Sequence, residues 1–257
     1  MKEQTFYREK TYVCGEYLDV YIYPVYKQPG KRSGRAKPST ETQQKLNARH
    51  SAEQLVRKLH ANFTPMDLSL GLDYAENPED EEQAKRDIQN FIRRLRRLRA
   101  KRGLPPLKYI TVTEKSGSGR YHHHIVVNAG IDRDELEALW GFGHANTKRL
   151  QFNEKGVSDL GHYIVKSPIF RKRWNASKNL IDPEPKTNDN RIRSRRKAAE
   201  LAQDRTDREP WEKLYPDYIL AEVTPFHNDL TGGIYLFARL YRKDGQFMKP
   251  RRKRGRK

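Results

Sequence analysis

The sequence predicts an α+β protein built on antiparallel strands, and three observations carry that prediction. Pairs of strand-like segments rich in β-branched and aromatic residues stand at both ends of the chain, each pair around a turn that contains glycine. A third pair in the middle is joined by Ser116-Gly117-Ser118-Gly119, which turns one strand into the next as a β-hairpin. Between these pairs, apolar residues recur at helical spacing.

Residues 7–26 read as two strands around Gly15, with Tyr17, Leu18, Val20, Tyr21, Ile22, Tyr23 and Val25 suited to a pleated surface. Residues 28–39, rich in Gly, Lys, Arg and Pro, read as a polar linker. Ser39 and Thr40 then offer an N-cap to a helix over 41–60 with a sparse stripe of Leu46, Leu55, Val56 and Leu59. Leu68, Leu70 and Leu72 alternate strictly within 67–74, a strand with one apolar face. Over 79–101, Ile88, Phe91, Ile92, Leu95 and Leu98 make one helical stripe, with acids at the start and bases at the end as the helix dipole prefers. The middle hairpin spans 107–114 and 120–127. A short helix over 132–140, an edge strand within 147–152 and a helix over 156–167, stopped by Pro168, follow. Residues 169–210 turn basic and weakly apolar, which predicts an extended arm or connector with a short helix near 195–202. Residues 218–225 and 233–241 form the closing hairpin.

This order divides the chain into an N-terminal hairpin (1–26), a basic linker (27–40), a core (41–170), a basic arm (171–210), a C-terminal hairpin region (211–247) and a basic tail (248–257). The two terminal hairpins are expected to pair into one accessory sheet.

The formal charge of +19 opposes compaction unless a polyanion offsets it, so nucleic acid is the expected partner. The basic residues cluster, most densely at Arg93, Arg94, Arg96 and Arg97, and again at Arg120 and at Arg171-Lys172-Arg173; these are the candidate DNA contacts. No strongly apolar amphipathic face lies beside them, which disfavours a membrane surface. No apolar run approaches the roughly 20 residues of a membrane span, and the first residues lack the apolar stretch of a signal peptide, so a cytoplasmic location is expected. Cys14 is the single cysteine, which excludes an intrachain disulfide and a multi-cysteine zinc site. A metal would have to use histidine and carboxylate.

The run Arg120-Tyr121-His122-His123-His124-Ile125-Val126-Val127 meets that need. Strand side chains alternate, so His122 and His124 point to one side and His123 to the other. Glu114 ends the preceding strand, close enough across the hairpin to complete a facial set of two imidazoles and a carboxylate. Further along, Tyr163 and Lys166 lie three apart on a helix, on a face distinct from the stripe of Val157, Leu160 and Ile164. A tyrosine and an ammonium so placed reach one phosphate together. The phenol is a weak nucleophile at its ordinary pKa near 10, and a metal that withdraws charge from the phosphate lowers that barrier.

Together these residues resemble the HUH endonuclease superfamily, and within it the single-tyrosine rolling-circle replication initiators of bacterial mobile elements and phages. Asn62-Phe63-Thr64-Pro65 through Leu68-Ser69-Leu70-Gly71-Leu72-Asp73-Tyr74 is similar to the first strand motif, Gly119-Arg120-Tyr121-His122-His123-His124 to the metal motif, and Tyr163-Ile164-Val165-Lys166 to the nucleophile motif. The likeness covers roughly the middle half of the chain. It departs at His123, where the family usually has a bulky hydrophobic residue. It implies an antiparallel sheet with helices packed on one face and the active site on the other. It also implies Mg²⁺ or Mn²⁺ held by Glu114, His122 and His124, attack by Tyr163 on one strand of a single-stranded or cruciform origin, and assistance from Lys166. The product would be a covalent 5′-phosphotyrosine with a free 3′-hydroxyl. The chain has no Gly-rich phosphate loop, so unwinding and synthesis would fall to a host helicase and polymerase.

A relaxase or transposase would use the same chemistry on another substrate. A non-catalytic DNA-binding regulator would need the basic clusters but neither the triad nor the tyrosine. A His-carboxylate zinc hydrolase would keep its activity in Tyr163→Phe. His144 and His162 are expected to line a loop and to pack or touch DNA, respectively.

Overall fold

The computed structural model of the protein describes residues 4–26, 41–165, 173–203, 207–228 and 233–245. Within them the chain forms β1 (Gln4–Cys14), β2 (Tyr17–Tyr26), α1 (Glu41–Asn62), β3 (Leu68–Asp73), α2 (Glu81–Lys101), β4 (Tyr109–Lys115), β5 (Tyr121–Val127) and α3 (Arg133–Trp140). There follow β6 (Ala145–Arg149), α4 (Ser158–Ile164), β7 (Asn175–Ala176), β8 (Pro185–Asn188), α5 (Arg195–Gln203), α6 (Glu209–Leu214), β9 (Tyr218–Asn228) and β10 (Gly233–Arg242). The class is α+β, and the strand pairings of both sheets are antiparallel. The linker over 28–39, the tail over 248–257, and Lys166, Arg171 and Lys172 lie outside the described residues. No helix among the described residues is long and apolar enough to cross a membrane.

Two compact units divide the chain. The central unit comprises Arg49–Phe152 and Val157–Ile181. The terminal unit comprises Met1–Ala48, Asn153–Gly156 and Asp182–Lys257.

The central sheet has the order β6-β3-β5-β4-β7. One face buries Leu68, Leu70, Leu72, Ile125 and Val127 beneath Ile88, Phe91 and Leu95 of α2 and Leu136 and Trp140 of α3. α2 is well specified locally: Asp80 accepts from the Gln83 N–H at 2.7 Å as its N-cap, and Glu81 and Glu82 stand in its first turn. The other face buries Ile110, Val112 and Val126 against Leu55 and Leu59 of α1 and Val157 and Ile164 around α4. Helices therefore pack on both faces. The cause is the alternation of β4 and β5, whose second faces are apolar at these positions and need cover.

The edge strand forms at β6, two residues earlier than its sequence suggests. Gly141 closes α3 in the left-handed region (φ 70°), and Gly143 lies so tightly on β3 that a Cβ there would stand 2.4 Å from the Ala75 nitrogen. The Asp73 N–H donates to the His144 carbonyl at 2.8 Å, and the chain is already in register with β3 at Ala145.

The terminal sheet has the order β8-β1-β2-β10-β9. β2 pairs with β10, so the two end hairpins join into one sheet. Val20, Ile22, Leu236 and Leu240 form its core with Ile192, Leu201 and Trp211. Much of the segment read as a basic arm is thus ordered structure in this unit: β8 pairs with β1, and Ala198 and Leu201 of α5 are buried. The numerous arginines mask the few apolar residues that decide this. Fully buried Arg239 forms a two-pronged ion pair with Asp19 at 2.7 and 3.0 Å.

Candidate active site

β5 lies between β3 and β4, so its histidines meet side chains from both neighbours. His122 is in register with Asp73 on one side and Glu114 on the other. His122 and His124 stand side by side with ring centres 4.4 Å apart. They lie on the face that carries α1 and α4, because Val126, two residues on, joins that core. The His122 Nδ1 meets an Asp73 carboxylate oxygen at 2.6 Å, and the His124 Nε2 meets Glu114 at 3.3 Å. Gly71 makes room for this arrangement: a Cβ there would lie 3.3 Å from the His122 Cε1. Burial, with the neighbouring His122 second, pulls the His124 imidazole below the usual histidine range and favours its neutral form.

Among the described residues, no three histidine, cysteine or carboxylate side chains are gathered closely enough to hold an ion as they stand. The site consists of two hydrogen-bonded pairs, His122 with Asp73 and His124 with Glu114. Its donor chemistry, two imidazoles and two carboxylates on adjoining strands, fits a divalent cation.

His123 points the other way and is fully buried. Its Nδ1 meets the Thr113 hydroxyl at 2.8 Å and its Nε2 the Tyr74 hydroxyl at 2.8 Å, with Trp140 packed 5.7 Å away. Burial first, and the two flanking histidines next, push its pKa down to about 3. A neutral, doubly hydrogen-bonded imidazole thus takes the core position where a hydrophobic side chain was expected.

Tyr163 sits on α4, 64% exposed, with its ring 5.5 Å from that of His124. Three contacts set α4 in place. The Val157 N–H donates to the His60 Nε2 at 3.0 Å, His162 meets Glu53 of α1 at 3.1 Å, and Gly161 lies against Val56. The structure brings Tyr163, His124, His122 and Glu114 together; Lys166 falls just beyond the described stretch.

The proposed DNA contacts are dispersed. Arg93, Arg96 and Arg97 are exposed on α2, which covers the opposite face of the sheet from Tyr163. Arg94 is half-buried, donates to the Leu139 carbonyl at 3.1 Å and lies over the Phe142 ring, which gives it a structural role. Arg120 donates to the Tyr74 carbonyl at 2.6 Å beside the site, and Arg173 is half-buried. Exposed His144 lines the loop before β6. Sequence reasoning passed over Asp73 and Gly71 as site residues. The available signal was their place on the strand that neighbours the histidines, which becomes informative only when the pairing of β3 with β5 is known.

A family model of replication-associated proteins, of the ORF2 type, matches residues 67–168, the stretch that runs from the start of β3 past α4. It therefore includes Asp73, Glu114, His122, His124, Tyr163 and Lys166. No curated protein and no solved structure matches the chain.

Proposed function

We propose that the protein initiates DNA replication by nicking one strand through Tyr163, as a single-tyrosine HUH endonuclease. A match to a replication-associated family over residues 67–168 supports the replication role. The observation that carries the chemistry is the exposed Tyr163 ring 5.5 Å from His124, on the face where His122 and Glu114 also stand. An exposed phenol beside two imidazoles and a carboxylate has no packing rationale.

In this reading His122, His124 and Glu114 hold Mg²⁺ or Mn²⁺, which draws charge from the scissile phosphate and stabilises the transition state. Asp73 orients the His122 ring by accepting from Nδ1, which leaves Nε2 as the nitrogen with the lone pair. The Tyr163 oxygen gives up its proton to water and attacks phosphorus. The bond from phosphorus to the 3′ oxygen breaks, the 3′ oxygen takes a proton, and the 5′ phosphate stays on Tyr163 as a diester. Lys166, three residues on, offsets charge on the phosphate oxygens. The free 3′-hydroxyl primes synthesis by host enzymes.

The test is incubation with end-labelled single-stranded DNA from the protein's own element, in Mn²⁺ or EDTA, followed by a denaturing gel and mass analysis. A metal-dependent adduct on Tyr163, absent in Tyr163→Phe, is expected. DNA binding without an adduct across metals and fragments would sink the proposal.

A further inference from the structure

The terminal sheet keeps its apolar core on one face, where Val20, Ile22, Leu236 and Ala238 meet α5 and α6 residues. Alternation places a different population on the other face: Lys10 and Tyr12 of β1, Tyr21 and Tyr23 of β2, Tyr235 of β10 and Phe226 of β9. The rings adjoin across strands. Tyr12 and Tyr21 lie 5.9 Å apart between centres, Tyr21 and Phe237 5.1 Å, and Phe226 and Tyr235 6.3 Å. At one end this face is closed by the Asn153–Gly156 segment, whose Asn153 carbonyl accepts from the Tyr17 hydroxyl at 2.8 Å. Toward the other end the cover thins: Tyr23 and Tyr235 are half-buried and Phe226 is 51% exposed.

A solvated sheet face ordinarily carries polar residues, and a row of aromatic rings there needs another explanation. Cations border the row. The Lys10 ammonium lies 5.3 Å from the Tyr12 ring centre and Arg8 lies over Phe6 on the same strand, in a chain of net charge +19. Aromatic rings on a sheet with lysine and arginine beside them match one class of partner, a flexible polyanion with planar bases. A duplex hides its bases and an acidic protein offers no planar groups in series.

We propose that this face binds single-stranded DNA by base stacking, with Lys10 taking a phosphate. The surface belongs to the terminal unit and none of its residues carries the proposed nicking chemistry, so the two readings stand or fall separately. Stacking is tolerant of sequence because every base has a π face, so the surface would hold strand without selecting it.

The full chain is titrated with labelled oligothymidylate and with a duplex of equal length in EDTA, by fluorescence anisotropy across a salt series. In Phe226→Ala/Tyr235→Ala, affinity for the single strand is expected to fall at least tenfold, since each stacked base contributes about fivefold to a hundredfold. Its salt slope should stay unchanged, because no phosphate contact is lost. Tyr235→Phe should keep wild-type affinity. Lys10→Ala should reduce the log-log salt slope by about 0.7, one phosphate's share for a single strand. A change under twofold in the double variant, or an equal loss for duplex and single strand, overturns the proposal. Should the double variant fail to fold, photocrosslinking of wild-type protein to oligonucleotide carrying 5-iododeoxyuridine decides. Adducts on Tyr23, Phe226 or Tyr235 support the surface, and adducts confined to other positions overturn it.

Discussion

Asp73 accepts from the His122 Nδ1 at 2.6 Å, and so fixes both the tautomer and the tilt of a ring whose other nitrogen faces the site. Asp73→Asn is expected to weaken Mn²⁺ binding by about 10- to 100-fold, the usual effect of removing such an orienting partner, read by calorimetric titration with nicking rate as a second measure. His123 gives a pH signature instead. The unfolded chain protonates this imidazole near the ordinary 6.5, whereas in the fold its pKa is about 3. Its contribution is therefore full above 6.5 and erodes as pH falls toward 3, because the unfolded state binds the proton first. Urea midpoints of the wild type should decline over that range more steeply than those of His123→Gln; parallel curves would refute the assignment. Which histidines share a face was legible from alternation alone. That the middle one is a core residue held by Thr113 and Tyr74 was not, because those partners lie on other strands.

At the scale of elements, the position of the proposed nucleophile depends on how α4 sits on α1. A Cβ at Gly161 would stand 2.5 Å from the Val56 Cγ2, so Gly161→Ala must lift the helix or displace Val56. Tyr163, two residues on, moves with it. Displacement of a reacting group by an ångström can reduce rate by about 100-fold, and overpacking costs about 1 to 3 kcal/mol. Adduct formation in Gly161→Ala should fall by about 10- to 100-fold and recover in Gly161→Ala/Val56→Ala, measured by single-turnover gels with thermal melts alongside. No recovery would separate α4 placement from activity. α2 was readable in full because stripe, cap and terminal charges agree. α4 was legible as a helix bearing Tyr163, but its start depends on His60, almost a hundred residues earlier in the chain.

At the scale of the whole molecule, charge and ends dominate. Asp19 and Arg239 lie at opposite ends of the sequence and meet fully buried in the terminal sheet, with Glu222 3.4 Å from the same guanidinium. Asp19→Asn strands most of a buried cation and is expected to cost about 3 to 5 kcal/mol, read as a drop in urea midpoint. A loss below 1 kcal/mol would mean that Glu222 or water compensates. The joining of the two end hairpins was anticipated from their like patterning. The packing of residues 182–203 against them was not, since Ile192, Ala198 and Leu201 are isolated apolar residues among arginines and give no period.

The pairing of β2 with β10 also sets an order of events during translation. The ribosome releases β1 and β2 first and β10 near the end, with the central unit between them. A nascent or clipped chain that stops before β10 therefore carries a complete set of proposed nicking residues beside a strand with one unsatisfied edge. Such an edge is a template for pairing with other copies. Truncated products of this protein should accordingly appear in the insoluble fraction, where they are removed from the pool that meets DNA.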